Sequence, residues 1–282
     1  EYELGVRLVG SEMCIRDRAE PPLGHIPIQM IDALPERFAA VYRHPEKIFC
    51  SPDDIPSEFT RLNRSFNTFK GPQAEWRRYL ARPEIRPLWH LALEVDAVAC
   101  LSVASVMKKD GLFQRKILQC MALNCILLTI EAIFGEEGDY GLLGIASLSQ
   151  IEADATGLDV LAADVGNAFT YIEVPSYLWP LLVGPRIRVR DLPQDWVDPS
   201  WRPNQYVRPQ YKRLPMGNTH AAYILLIILR NIVRRSLEEA KTCSRIFDLN
   251  SREGRRTRRT LASGHIAFYI HIDDIAFLAR RG

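Results

Sequence analysis

The chain has 282 residues, 47% of them hydrophobic and 25% charged, an ordinary globular composition that is enough for one large core or two smaller ones. The formal net charge is only +2, so the total charge gives no argument for a nucleic-acid partner, which would have to be indicated by a local concentration of Lys and Arg. The six cysteines form no CxxC pair, which disfavours a zinc site or a disulfide framework.

The start of the chain carries no recognisable chemistry. Residues 8–17 resemble a sequencing-library adapter translated in one frame, so we interpret residues 1–18 as an adapter-derived artefact. A short signal segment is the alternative, but charged residues interrupt any apolar run there. Residues 19–57 are rich in proline, and we interpret them as a leader or linker.

From Ser57 to Leu93 the large apolar residues recur at spacings that suit helices, broken at Pro72, Pro83 and Pro87. We expect these apolar residues to pack as core: Phe59, Leu62, Phe66, Phe69, Trp76, Leu80, Trp89 and Leu93.

Two β-leaning stretches follow. Val95 to Met107 and Gln114 to Gln119 flank the turn-forming residues Lys108, Asp110 and Gly111. This pattern predicts a hairpin with a basic tip.

The second half of the chain contains three clear elements. Leu158 to Val165 is a mostly apolar run containing Asp164, which predicts a buried strand with a carboxylate near its end. Ala221 to Ala240 predicts a long helix whose apolar part is too short to cross a bilayer, so we expect it to be buried, with no membrane partner. Ile266 to Leu278 alternates around Asp273 and Asp274, which predicts a strand, an acidic turn and a strand. The order of elements favours an α+β fold.

The adjacent Asp273 and Asp274 are the strongest chemical signal. Neighbouring carboxylates repel each other, and a divalent cation relieves that repulsion. If a sheet placed Asp164 beside them, three hard oxygen ligands would converge, as Mg²⁺ prefers. For any one of these aspartates, a turn or cap residue is the alternative interpretation.

Four motifs, in the order found in one family, then give a specific resemblance. Residues 269–275 resemble the aromatic-x-Asp-Asp box of reverse transcriptases, and residues 164–169 resemble the first aspartate box. Leu-Pro-Met-Gly at residues 214–217 resembles the box before the palm helix, and residues 108–124 resemble the fingers hairpin. The chain is therefore similar to the reverse transcriptase domain of a retroelement polyprotein.

The resemblance implies a right-hand polymerase fold with fingers and palm, an antiparallel palm sheet packed on helices, and no thumb within this chain. It divides the chain into N-terminal helices and fingers (58–157), the first aspartate strand of the palm (158–174), a return to the fingers (175–213), and the palm helix with the Asp-Asp hairpin (214–282). The thumb and RNase H of a longer polyprotein would lie outside it.

The resemblance also implies an intracellular RNA-directed DNA polymerase that binds an RNA or DNA template-primer and a dNTP. Two Mg²⁺ ions, or Mn²⁺ in their place, would be held by Asp164, Val165, Asp273 and Asp274, of which the three aspartates are catalytic. The nucleotide would be bound by Lys108, Arg115, Asn167, Ala168, Phe169, Met216 and Gly217, with the Phe169 ring excluding a 2′-hydroxyl. Nucleic acid would be bound by Arg255, Arg256, Arg258 and Arg259, with Arg208, Lys212 and Arg213 as further basic residues; a solvated loop is the alternative for residues 252–259.

Four positions depart from the family pattern: Gln119, Met121, Asn167 and His271. None of these departures removes an expected metal ligand. They leave open a decayed element whose product binds nucleic acid without turnover. A metal-dependent phosphohydrolase is a further alternative, since it would also use clustered carboxylates.

Overall fold

The computed structural model describes residues 24–107, 114–138, 145–152, 156–241 and 243–281. Within these ranges the helices are α1 (Met30–Ala33), α2 (Glu36–Tyr42), α3 (Phe59–Ser65), α4 (Gln73–Ala81), α5 (Met121–Ile126), α6 (Ile130–Phe134), α7 (Ala168–Tyr171), α8 (Ala221–Ala240) and α9 (Arg252–Arg256). The strands are β1 (Ile28–Gln29), β2 (Trp89–Leu93), β3 (Ser102–Met107), β4 (Gln114–Gln119), β5 (Ile151–Glu152), β6 (Leu158–Asp164), β7 (Ile172–Glu173), β8 (Ile187–Arg188), β9 (Tyr206–Tyr211), β10 (Arg245–Asp248), β11 (Arg259–Thr260), β12 (His265–His271) and β13 (Asp274–Arg280). This mixture of helices and several small sheets confirms the predicted α+β class.

The prolines between residues 57 and 93 end or begin elements where the sequence predicts. Helix α4 begins directly after Pro72 and ends two residues before Pro83. The expected core residues Trp76, Leu80 and Trp89 are buried, but Trp89 opens strand β2 instead of continuing a helix. The propensity pattern therefore located the core correctly and misassigned the last element.

The described part of the 19–57 segment packs into the molecule. Met30, Phe38, Tyr42 and Ile48 are buried in the same core cluster as the residues of α8. This packing contradicts a free leader or linker over these residues, because large apolar side chains at nearly zero exposure contribute to the core.

The predicted long helix is confirmed, and the predicted hairpin is confirmed in the pairing of its strands. The first strand begins at Ser102 and not at Val95, since Glu94–Asp96 form a short 3-10 helix, and the predicted basic tip lies outside the described residues. Strands β3 and β4 pair antiparallel, with Ser102 opposite Gln119. Helix α8 has the predicted bounds, and its first half is almost entirely buried. None of the helices in the described ranges is both long and apolar enough to cross a bilayer.

A four-stranded sheet with the order β10-β12-β13-β6 carries the acidic turn. Strands β12 and β13 form the predicted hairpin, and β6 pairs antiparallel with β13. Phe268 and Ile270 of β12 pack in the main core together with α8, whereas Tyr269 belongs to a smaller cluster on the opposite face. Strand β12 is therefore buried on both faces.

Strand β6 is not the buried strand that its apolar sequence predicts. Six of its seven residues are exposed, and Val160 and Leu161 each keep about two thirds of their surface accessible. The physical reason is its position: among the described residues β6 pairs on one side only, with β13, and is the edge of the sheet. An apolar run therefore indicated a strand correctly and its burial wrongly.

His220, at the start of α8, joins three separate segments. Its Nε2 lies 2.7 Å from the Leu128 carbonyl, which can only accept, so Nε2 carries the hydrogen. Its Nδ1 then accepts from the Tyr42 hydroxyl at 3.2 Å. Burial lowers the pKa of His220 from its ordinary value of 6.5, although the hydrogen bond to Leu128 acts in the opposite direction. The folded protein therefore favours the neutral imidazole.

His220→Gln should reduce the acid sensitivity of folding. Because the pKa of His220 is lower in the folded than in the unfolded chain, the unfolded chain binds more protons, and stability falls as pH decreases below about 6.5. Wild type should lose up to about 1 kcal/mol per pH unit more than the variant in this window. Chemical denaturation at pH 7.5 and 5.5 measures the difference. The exposed His44, changed to Gln, is the control, and equal pH dependence of His220→Gln and wild type would contradict the assignment.

Candidate metal and nucleotide site

The sheet register brings two of the three predicted catalytic aspartates directly together. Asp164, the last residue of β6, is the cross-strand partner of Asp274, the first residue of β13. Directly opposed residues in an antiparallel pair have Cα atoms roughly 5 Å apart, and their side chains leave the same face. Two exposed carboxylates from stretches of chain more than 100 residues apart in sequence therefore lie side by side.

His271 extends this acidic row by one position. It is the partner of Asp274 on the other side, so the row across the sheet is His271, Asp274 and Asp164. Side chains alternate along a strand, and Ile270 and Ile275 point into the core that contains α8. The row therefore lies on the face of the sheet turned away from α8.

Asp273 occupies the turn and is held to β6 through the backbone. The Val165 amide donates to the Asp273 carbonyl at 2.9 Å. Ile272, which precedes it, has φ of +58°, a conformation that is unfavourable for a β-branched residue. A strained residue within a two-residue turn is typical of sites where the surrounding structure fixes the chain for function.

The carboxylates fit a divalent cation in part. Asp164 and Asp274 supply hard oxygen ligands from adjacent positions and are open to solvent, as Mg²⁺ sites with several water ligands require. In the described residues, however, no group of three or more His, Cys, Asp or Glu side chains is close enough to hold a metal ion. The structure thus brings together the predicted pair and attaches Asp273 through its backbone, without a converged set of three carboxylates.

Asn250 is a residue of this site that the sequence analysis missed. Its side-chain amide donates to the Ile270 carbonyl and accepts from the Ile270 amide, both at 2.8 Å. The Asn250 side chain therefore makes the two hydrogen bonds that a neighbouring strand would make with Ile270, at the end of β12 just before the acidic turn. A buried Asn between a charged helix and a strand leaves no sequence pattern that would reveal this role; the residue is only 1% exposed.

Asn250→Ala should destabilise the protein by about 2–4 kcal/mol, because it leaves a buried amide and a buried carbonyl of Ile270 without partners. The free energy of unfolding, measured by urea denaturation, tests this expectation. Asn204→Ala is the control, since Asn204 is exposed and accepts from the exposed Arg190. An Asn250→Ala variant as stable as Asn204→Ala would show that the amide does not support β12.

The residues after Asp164 form a tight turn into α7. Asn167 has φ of +61°, in the left-handed region that Asn tolerates better than most residues. Ala168 and Phe169 follow as the first residues of the helix, and both are buried. The Phe169 ring is 6% exposed and belongs to the main core, so little of it faces solvent.

Gly217 is fixed by a contact within the protein. A Cβ at this position would lie 2.0 Å from the Leu118 carbonyl oxygen of strand β4. Asn124 of α5 donates to the Gly217 carbonyl at 2.8 Å and accepts from the Thr219 amide at 3.1 Å. The Leu-Pro-Met-Gly loop is thereby attached to the β3–β4 hairpin, and Met216 beside it is half exposed.

Gly217→Ala should therefore destabilise the protein whether or not a nucleotide binds there. The added methyl group meets a backbone carbonyl that cannot rotate away, and we expect a loss of about 2–3 kcal/mol. Thermal unfolding of the variant measures this loss. Gly166→Ala is the matched control, because a Cβ at Gly166 would meet no atom within 4 Å. Equal melting temperatures for the two variants would contradict the close packing.

The predicted triphosphate contacts are described only in part. Lys108 lies outside the described residues. Arg115 lies in β4 opposite Val106 of β3, near the tip of the hairpin. The backbone position of Arg115 is thus the predicted one, on the second strand of the hairpin.

The basic residues proposed to contact nucleic acid are mostly engaged within the protein. Arg258 lies 3.5 Å from Glu152, and Arg259 lies 2.8 Å from Glu253 and over the Phe247 ring. Arg255 donates to the Ser251 carbonyl, and Arg256 is exposed. Acidic partners reduce the positive potential that a phosphate backbone would meet.

Arg208 and Arg213, two of the further basic residues predicted to contact nucleic acid, are buried, and that prediction is wrong for them. Arg208 is 7% exposed and pairs with Glu94 at 2.8 Å, and Arg213 is 3% exposed and pairs with Glu173 at 2.5 Å. Their guanidinium groups are turned inward, because Glu94, directly after β2, and Glu173 of β7 supply the carboxylates. Lys212 lies over the Trp179 ring.

The fold and the acidic row define a mixed α+β protein with a paired-carboxylate site on one sheet face. Comparison with models of known protein families finds no match, and comparison with curated protein sequences finds none. The function therefore rests on the motifs and on the geometry described above.

Proposed function

We propose that this chain carries the fingers and palm of a reverse transcriptase and that its site performs template-directed DNA synthesis by two-metal nucleotidyl transfer. The observation that supports the proposal most strongly is the register of β6 and β13. Two motifs identified separately in the sequence, more than 100 residues apart, meet at the pair Asp164 and Asp274. If the two motifs resembled the family boxes only by chance, there would be no reason for their aspartates to be cross-strand neighbours.

The paired carboxylates would hold the metal ions through their side chains, with the Val165 carbonyl as a further oxygen ligand. Bound Mg²⁺, or Mn²⁺ in its place, would activate the primer 3′-hydroxyl and neutralise charge on the pyrophosphate leaving group. The contribution of the protein itself is to hold the carboxylates in fixed positions. The Val165 to Asp273 hydrogen bond and the Asn250 amide hold the turn rigid, so little reorganisation is needed when substrate binds.

The remaining nucleotide contacts in this proposal come from the neighbouring segments. Asn167 would approach the phosphates through its backbone amide, whereas the Ala168 amide donates to the Val165 carbonyl at 3.1 Å and leaves Ala168 to position the turn. Lys108 and Arg115 would bind the triphosphate. Phe169 would limit the space for a 2′-hydroxyl only through the small part of the residue, 6%, that remains accessible. The packing of Gly217 against Leu118 supports a rigid connection between the hairpin and the loop that precedes α8.

Asp274→Asn should abolish both metal binding and synthesis. The neutral amide keeps the size of the side chain but removes one of two adjacent charges, and we expect extension of a DNA primer on an RNA template to fall at least about 100-fold. Binding of Mn²⁺, followed by loss of the free-ion electron paramagnetic resonance signal, gives a readout independent of turnover. Asp159→Asn on the same strand is the matched control, because Asp159 pairs with Arg281 at the other end of β6.

The same experiment separates the alternatives. Unchanged extension by Asp274→Asn would contradict the catalytic assignment. Binding of an RNA–DNA duplex by wild type, with neither extension nor Mn²⁺ binding, would favour a non-catalytic nucleic-acid-binding protein. Metal-dependent release of phosphate from a nucleotide, without primer extension, would favour a phosphohydrolase.

A further inference from the structure

Strand β2 is an edge strand of the three-stranded sheet, and the edge that faces away from β9 is unpaired in the described residues. The sheet order is β2-β9-β8, so among the described residues β2 pairs only with β9. In this ladder Leu91 lies opposite Pro209, and Trp89 lies opposite Tyr211. The Pro209 carbonyl accepts from the Gly184 amide at 2.7 Å, and the Tyr211 amide donates to the Leu182 carbonyl at 2.8 Å.

These two bonds fix the direction of the β2 backbone groups. Because Pro209 and Tyr211 turn their groups away from β2, their partners Leu91 and Trp89 form the non-hydrogen-bonded positions of the ladder. The amides and carbonyls of Trp89 and Leu91 therefore point outward from the sheet. Within the described ranges no backbone group pairs with them there. An unpaired edge is a template for another extended strand. Trp89 and Leu91 keep 2% and 7% of their surface accessible, so only a narrow part of this edge is uncovered before a strand adds.

The open edge forms the floor of a cleft of about 530 Å³. Its walls carry two half-buried indoles, Trp196 and Trp201, and two exposed carboxylates, Asp96 and Asp198. The wall segment is anchored, because Arg86 donates to the neighbouring Asp195 at 2.5 Å. This volume is within the range of ordinary ligand sites.

The charge of the cleft is negative. Hydrogen bonds from the Ser200 hydroxyl and amide hold the pKa of Asp198 below its ordinary value. His90 also lines the cleft, and burial followed by repulsion from Lys212 lowers its pKa, so its imidazole does not offset the carboxylates near neutral pH. No Lys or Arg lines the cleft within the described residues. A phosphate backbone is therefore disfavoured here.

We propose that this cleft binds an extended, basic segment of a partner polypeptide. The segment adds as a strand to the open edge of β2, through the backbone groups of Trp89 and Leu91. One of its Arg or Lys side chains enters between the indoles of Trp196 and Trp201 and reaches Asp96 and Asp198, combining cation–π attraction with charge-assisted hydrogen bonds. The site is separate from the acidic row and does not depend on its catalytic role.

The probe for this proposal is a blocked heptapeptide, Thr-Val-Thr-Arg-Thr-Val-Thr, titrated by calorimetry and followed by tryptophan fluorescence. Three matched peptides isolate the two interactions: citrulline or Glu in place of the central Arg, and the Arg peptide with alternate backbone amides methylated. The Arg peptide should bind at least about tenfold more tightly than each of the others, since each loses either the charge contact or the strand pairing.

The protein variants test the same contacts from the other side. Asp96→Asn combined with Asp198→Asn should weaken binding of the Arg peptide about tenfold and leave binding of the citrulline peptide unchanged. Asp53→Asn, an exposed carboxylate that does not line the cleft, should leave both unchanged. If the double variant does not fold, the comparison of peptides on wild type still decides the question.

Several results would overturn the proposal. Equal binding of the methylated peptide would exclude strand addition, and equal binding of the Glu peptide would exclude cation recognition. Absence of binding by the Arg peptide would remove the site. A twelve-residue oligouridylate that competes with the peptide and quenches the same tryptophans would assign the cleft to nucleic acid instead.

Discussion

The candidate site depends on the register between strands β6 and β13. A slip of one residue would turn Asp164 to the opposite face of the sheet and separate it from Asp274, because side chains alternate with a period of two. Hydrogen bonds outside the ladder fix the register at both ends: the Val165 amide donates to the Asp273 carbonyl, and the Arg281 amide donates to the Gly157 carbonyl. Burial of Ile275 against the main core fixes which face of β13 carries Asp274.

The same constraint explains why an edge strand can carry a candidate metal ligand. Strand β6 contributes little buried surface, and Val160 and Leu161 remain exposed. Its position comes from β13, which is held in turn by β12, and β12 is buried on both faces and extended by the Asn250 amide. The exposed carboxylates are thus positioned by rigid elements behind them, while their own face stays open to water, ions and substrate.

Charge is distributed in two ways in this protein. Arg208 and Arg213 are buried guanidinium groups that pair with Glu94 and Glu173 and connect segments distant in sequence, so removal of either carboxylate would leave a buried positive charge without its ion-pair partner. Two groups of carboxylates remain exposed instead: the pair Asp164 and Asp274 on the sheet, and the group in the tryptophan-lined cleft beside β2. In the described ranges neither group forms an ion pair with Lys or Arg, and the two proposals assign a metal ion to the first group and a basic side chain of a partner to the second.

The sequence alone determined the local elements whose patterns are strong. The twenty-residue helix α8, the alternation around the acidic turn and the pairing of β3 with β4 follow from the patterns of neighbouring residues, and all three were predicted. Tertiary structure alone decided what depends on contacts between distant residues. The exposure of β6, the packing of residues 30–48, the role of Asn250 and the inward turn of Arg208 were beyond sequence reasoning, because burial and pairing depend on which elements become neighbours. The proximity of Asp164 and Asp274 depends on sequence and on tertiary structure together. The motifs predicted it, and the pairing of β6 with β13, two strands distant in sequence, produces it.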